Sequence, residues 1–173
     1  MGHRATERPF QFCWMISEYK KTETSKILHI INEASLKYKG VIPKDCWNEP
    51  YMSEQELTGE FDDGVRMYGY HYNNKLVGVI GVQEVKDVIL IRHAYTLSSY
   101  QGKGVGSALL EYLLKKNKNS RLLVGTWKSA VWAIKFYKKF DIILHTKEET
   151  TLLLKKYWNI PTKQIENSVV LER

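Results

Sequence analysis

Cysteine is scarce in this chain, with only Cys13 and Cys46 among its 173 residues. Two thiols cannot make a disulfide framework, and neither stands at metal-ligand spacing from another soft ligand, so both are expected to be reduced and buried and no metal is expected. Long apolar runs are also missing. None approaches the roughly 20 residues that a membrane-spanning helix requires. Met1–Arg8 lacks the apolar core of a secretory signal. The expectation is a cytoplasmic protein with no membrane partner. There is no internal repeat and no low-complexity tract.

What is present is an ordinary globular composition, 43% hydrophobic and 26% charged, which argues against disorder. The length suits one domain over residues 1–173 with its own core. A formal charge of +7 fits a nucleic-acid binder, a membrane-surface binder or a protein whose ligand carries several phosphates. The basic residues are scattered in pairs, Lys20-Lys21, Lys115-Lys116, Lys138-Lys139 and Lys155-Lys156, as on a solvated mixed-charge surface. No nucleic-acid motif accompanies them, so no nucleic-acid partner is expected.

Alternation of Phe10, Phe12, Trp14 and Ile16 predicts a first strand over Pro9–Glu18. Thr22 or Thr24 could cap a helix carrying Ile27, Ile31, Ala34 and Tyr38 and ending at Gly40. Val41–Tyr51, with Pro43 and Pro50, reads as a loop, and Ser53 with Glu56 as a capping box opening a short helix to Phe61. Val65–Tyr72 and Lys75–Glu84 flank Asn73-Asn74, a dipeptide suited to a tight hairpin turn. Val88–Leu97 is a further strand. It is followed by a glycine-rich turn, a helix with Val105, Leu109, Leu110, Leu113 and Leu114 on its apolar stripe, and a strand at Arg121–Thr126, which together make a parallel βαβ crossover. Ser129 is expected to cap a helix through Lys138. A strand at Phe140–His145, a helix at Glu148–Trp158 broken by Pro161, and a last strand at Val169–Leu171 complete the reading. The fold class is α/β (α+β), a mixed and mostly antiparallel sheet flanked by helices.

Gly102, Gly104 and Gly106 stand where strand passes into helix, so backbone N–H groups and the positive helix end can face an anion such as phosphate. The spacing completes neither a P-loop nor the dinucleotide fingerprint Gly-x-Gly-x-x-Gly. It does match Gln/Arg-x-x-Gly-x-Gly/Ala, as Gln101, Gly104 and Gly106. This resembles the pyrophosphate-binding signature of the Gcn5-related N-acetyltransferase (GNAT) superfamily. The order strand, motif, helix, strand, then a helix carrying Ala133, Phe136 and Tyr137 is similar to that family over nearly the whole chain, with recognisable family residues from Arg92 to Ile142.

The resemblance implies acetyl-CoA as co-substrate. Gln101, Gly102, Lys103, Gly104, Val105 and Gly106 would wrap its pyrophosphate, Ser107 and Lys135 would stand nearby, and the pantetheine arm would pair with the strand edge at Tyr95, Thr96 and Leu97. Tyr137 stands where family members protonate the departing thiolate, a task a phenol can perform. The competing reading is a tyrosine packed in an aromatic cluster with Trp132 and Phe136. Leu90 occupies the position of a strand glutamate in histone-acetylating relatives, which leaves His93 and Glu84 as candidate bases. Two departures from the family pattern are Ala130 in place of a helix-start asparagine and Asp141-Ile142 in place of Gly-Phe. An acceptor site between the first two helices and the strand ends would include Trp47, Glu49 and Tyr51, with Glu54 and Glu56 nearby, a setting for a small or polyamine-like cationic amine.

The function so implied is acetyl transfer from acetyl-CoA to a primary amine of a small molecule by direct attack. The alternative is a non-catalytic module that binds coenzyme A or another phosphorylated ligand. Trp127 and Trp132 also suit a dimer interface, so monomer and homodimer are both open.

Overall fold

In the computed structural model, which describes residues 15–173, the alternating stretch that ends at Tyr19 forms strand β1 (Met15–Tyr19). Positions 9–14 of the expected strand, and Cys13, lie outside the described residues. A single-turn 3-10 segment at Lys21–Glu23 leads into α1 (Thr24–Ser35), whose N-cap is Glu23 with no side-chain bond. Neither threonine caps the helix. Ile27, Ile31 and Ala34 are buried as their spacing requires, but Tyr38 falls in a second 3-10 turn and Gly40 follows at φ +77°. The capping box is formed. The Ser53 hydroxyl accepts from the Glu56 N–H at 3.2 Å, the Glu56 carboxylate accepts from the Ser53 N–H at 2.7 Å, and α2 runs over Glu54–Asp62.

Strands β2 (Arg66–Tyr72), β3 (Lys75–Val85) and β4 (Val88–Thr96) form an antiparallel meander. Asn73 and Asn74 close its first hairpin at φ +47° and +61°, the twist that matches right-handed strands. Helix α3 (Val105–Lys116) then crosses over to β5 (Leu122–Trp127), which pairs parallel to β4. Leu109, Leu110 and Leu113 of α3 are at most 1% exposed; each contributes about 1.5–3 kcal/mol relative to exposure.

The C-terminal third departs most from expectation. Helix α4 spans Val131–Lys138 with Ala130, not Ser129, at its N-cap. The expected strand over 140–145 shrinks to β6 (Ile143–Leu144). Asp141, where the family pattern has glycine, adopts φ +57°, a left-handed turn that Asp tolerates better than most residues. Thr146 and Glu149 make an unanticipated capping box on α5 (Lys147–Tyr157). Pro161 ends the α5 segment as expected but also opens an unexpected helix α6 (Thr162–Glu166), because proline suits the start of a helix as well as its stop. The chain returns as β7 (Ser168–Glu172), giving the order β1-β2-β3-β4-β5-β7-β6.

Helices cover both sheet faces. Ile89, Ile91, Leu122 and Val124 join the α3 core, whereas Val88, Leu90, Leu123 and Val170 pack with Leu154 and Tyr157 of α5. Among the described residues no helix is long and apolar enough to cross a membrane. Cys46 is a free thiol, half-buried rather than buried.

Candidate active site

Strands β4 and β5 are paired only from Ile89↔Leu122 to Ile91↔Val124. Beyond that, β4 stays with β3 and β5 turns to β7, so the two part. The parting coincides with a bulge: Arg92 stands opposite Gly81 and Tyr95 opposite Val79, so that His93 and Ala94 share one place on the partner strand. His93 takes φ +47° to accommodate it. A bulge and an open edge leave backbone donors and acceptors in need of partners.

A cavity of about 460 Å³ opens on the α3 side of this gap. Tyr95 and Thr96 line it from β4, Gln101, Gly102, Gly104, Val105, Gly106 and Ser107 from the turn, and Trp132, Phe136 and Tyr137 from α4. The Gln101 amide donates to the Thr96 carbonyl at 3.1 Å, tying the turn to the strand end. Gly102 and Gly104 sit at φ +73° and +83°, which glycine adopts without steric cost. Gly104 is the N-cap of α3 and supplies no side-chain cap, so the first-turn N–H groups remain available for an anion. Leu97 and Lys103 are not part of this wall. Leu97 is buried, its N–H bonded to the Val77 carbonyl at 2.9 Å, and Lys103 Nζ lies 5.2 Å over the Tyr100 ring. Lys135 is also off the cavity, whereas Lys139 borders it.

The Tyr137 side chain is 5% exposed and meets the Phe136 ring edge-on at 5.2 Å. Its hydroxyl makes no hydrogen bond among the described residues, although its ring lines the cavity. Burial, and secondarily Tyr38, push its phenol well above the ordinary tyrosine range. Tyr38 is pushed up to about 12, chiefly by burial and then by Tyr51. Tyr95 is raised by the same causes. All three hydroxyls are protonated at neutral pH, as unshifted phenols also are, so Tyr137 carries a proton to give although burial makes it a weaker acid.

A second cavity, about 170 Å³, lies on the α5 side and is lined by His93, Tyr51, Trp127, Leu154, Trp158 and Gln164, among others. Tyr38 and Tyr95 border both cavities and so stand between them at the strand gap. Tyr51 accepts from Trp127 Nε1 at 3.2 Å and packs on Trp47 at 5.5 Å between centroids. Trp47 itself stays behind that wall. Glu49 is exposed and ion-paired with Lys39 at 3.0 Å, whose hydrogen bond and charge hold its carboxyl below the usual range. Glu56 is occupied by its capping box. Glu84 is not brought to the site: its carboxylate is 75% exposed and pairs with Arg66 at 3.2 Å. His93 is brought there, with Nε2 bonded to Glu60.

Tyr38, Glu60 and Trp158 were not legible as site residues. Tyr38 reads as the end of an apolar stripe, Glu60 as a surface position of α2, and Trp158 as a helix terminus. Their convergence depends on tertiary register, which local pattern does not carry.

A model of the acetyltransferase (GNAT) domain matches residues 30–150. A search of the curated proteins finds no match. Among solved structures, the chain is similar to a GNAT-family acetyltransferase from Staphylococcus aureus Mu50 (14% identity, TM-score 0.68, 93% of this chain and 98% of that one). It is also similar to the PaiA N-acetyltransferase of Thermoplasma acidophilum, solved with coenzyme A (16%, 0.65, 92% and 98%). A third is the ribosomal-protein-S18-alanine N-acetyltransferase of Escherichia coli (19%, 0.66, 92% and 92%). At these identities the structures establish the fold. Because the family model spans more than half of the sequence, the chain belongs to the GNAT acetyltransferases, and its class of activity is acyl-CoA-dependent acyl transfer.

Proposed function

We propose that this protein transfers the acetyl group of acetyl-CoA directly to the primary amine of a small molecule. The observation that carries the reading is the placement of two cavities on either side of Tyr38 and Tyr95 at the β4–β5 gap, one with an uncapped helix N-terminus and the Tyr137 phenol, the other with His93. The first-turn N–H groups of α3 suit a pyrophosphate, and the open edge of Tyr95–Thr96 suits an amide-bearing arm. The coenzyme A bound to the Thermoplasma relative supports the same co-substrate here.

With both partners held across the gap, His93 takes a proton from the ammonium, and the free amine nitrogen attacks the thioester carbonyl carbon. The carbon–sulfur bond breaks and Tyr137, neutral as any phenol is at pH 7, gives the leaving sulfur a proton. The second nitrogen proton, lost as the amide forms, returns to the Tyr137 oxygen. Holding the reactants together supplies much of the rate, because aminolysis of a thioester is not demanding once geometry is set.

The acceptor cavity combines aromatic side chains with polar ones, Arg92, His93, Thr126, Gln164 and Ser168, and bears no free carboxylate among the described residues, since Glu60 is already paired with Arg92 and His93. With Arg92 in its lining and no carboxylate to hold a second cationic group, it favours a compact monoamine over a polyamine. The test is thiol release from acetyl-CoA with tyramine, 2-phenylethylamine and spermidine, in wild type and Tyr137→Phe. Amine-dependent release that falls in the variant supports the reading. Coenzyme A binding without any release marks a binding module instead.

A further inference from the structure

Glu60, on the last turn of α2, lines neither cavity, yet each of its oxygens is committed to β4. Oε1 accepts from Arg92 Nη2 at 2.9 Å, and Oε2 is bonded to His93 Nε2. Arg92 is itself held by a second bond, Nη1 donating to the Gln83 side-chain oxygen Oε1 at 2.8 Å. The side chains of Glu60 and His93 are 21% and 10% exposed, so the pair is largely shielded from bulk water.

This geometry determines where the imidazole proton sits. Arg92 is always charged and keeps the adjacent carboxylate ionised; burial alone would raise Glu60, but His93 and Arg92 outweigh it and its carboxyl lies below the usual range. An ionised carboxylate only accepts, so Nε2 must carry the hydrogen, and the neutral ring then has a lone pair at Nδ1. Nδ1 has no partner among the described residues, and the ring borders the acceptor cavity. The bulge at φ +47° brings His93 to this place, and its ring stacks on Tyr95 at 6.5 Å between centroids.

We propose that Glu60 is a positioning residue that fixes His93 in the Nε2–H tautomer, leaving Nδ1 to accept the proton of the incoming ammonium. The inference rests on the acetyltransferase reading above. In the step it assists, an N–H bond of the ammonium breaks, the proton passes to Nδ1, and the resulting imidazolium is balanced by the Glu60 carboxylate until it releases the proton to solvent. This is the arrangement by which a carboxylate orients a histidine base, assembled here from a helix and a strand bulge.

The test combines two readouts. Long-range 1H–15N spectra of histidine-labelled wild type, with the His93 signals assigned by comparison with His93→Gln, should show Nε2 protonated and Nδ1 bare. In Glu60→Gln the two tautomers should mix, and amine-dependent kcat with tyramine or 2-phenylethylamine should fall on the order of 10–100-fold with the KM for acetyl-CoA unchanged. Glu60→Asp should recover part of the loss. An Nδ1–H tautomer in wild type, which needs no variant to fold, overturns the proposal, as does Glu60→Gln with unchanged tautomer and kcat. No amine-dependent release from wild type rejects the transferase reading and this step with it. Release from wild type alongside the wrong tautomer rejects only the role of Glu60.

Discussion

The rings of Tyr38 and Tyr95 meet edge-on, with centroids 6.4 Å apart and planes at 82°, between the two cavities. Tyr38 comes from the turn after α1 and Tyr95 from the freed end of β4, so their contact spans the gap left by the parting strands. Such a pair is worth about 0.5–1.5 kcal/mol beyond its buried area. Tyr38→Ala removes this partition. Acetyl-CoA turnover in the presence of amine should fall about tenfold, while release without amine should rise as water enters. Tyr38→Phe should retain near wild-type coupling. Thiol release with and without tyramine measures both.

The Tyr137 hydroxyl makes no hydrogen bond among the described residues, so Tyr137→Phe should leave the unfolding midpoint nearly unchanged. Its effect should fall on turnover, with kcat reduced about 100-fold and acetyl-CoA affinity retained. Denaturation and steady-state kinetics on one preparation separate the two.

The glycines of the turn serve different ends. Gly104 is at φ +83° with nothing within 4 Å of an added Cβ, so alanine there meets conformational strain alone, about 1–2 kcal/mol. At Gly106 the backbone is relaxed and a Cβ would meet Phe136 at 3.5 Å, an ordinary contact. Gly106→Ala should be near neutral for stability. Coenzyme A binding should be retained as well, because the pyrophosphate signature accepts alanine as well as glycine at this position and an added Cβ makes only ordinary contacts. Chemical denaturation and calorimetric titration of both variants check the contrast.

Burial raises the phenols of Tyr38, Tyr95 and Tyr137 above their unfolded value of 10.0. Above that pH the unfolded chain loses these protons while the folded one keeps them. The unfolded state then binds fewer protons, and stability falls as pH rises. The stabilisation is intact below pH 10 and, for Tyr38, is lost as pH approaches about 12. Urea denaturation from pH 8 to 11.5 should show the decline, and Tyr38→Phe should lessen it.

Elements with a strong local signal were legible before the structure. Asn73-Asn74 closes its hairpin, Ser53 and Glu56 form their box, and strand, glycine turn and helix follow one another from β4 to α3. The turn and Tyr137 come together because the βαβ crossover places α3 and α4 on one rim, a consequence of topology that the family order already implied. Other features were not legible. The His93 bulge has no turn residue to announce it, and α6 was hidden because Pro161 reads as a stop. Glu60 lies on a helix that pattern alone treats as solvent-facing, and only the register of α2 against β4 reveals its partners.

Acetyl-CoA is expected to occupy the α3 cavity. Thermal unfolding with acetyl-CoA, coenzyme A and ATP at matched concentration and salt tests it most directly, since a native-state ligand at 100 times its Kd adds about 2.7 kcal/mol. A marked rise in midpoint is expected with both coenzyme A forms and little with ATP. Equal shifts with all three ligands, or none, would contradict it and leave the turn a generic anion site.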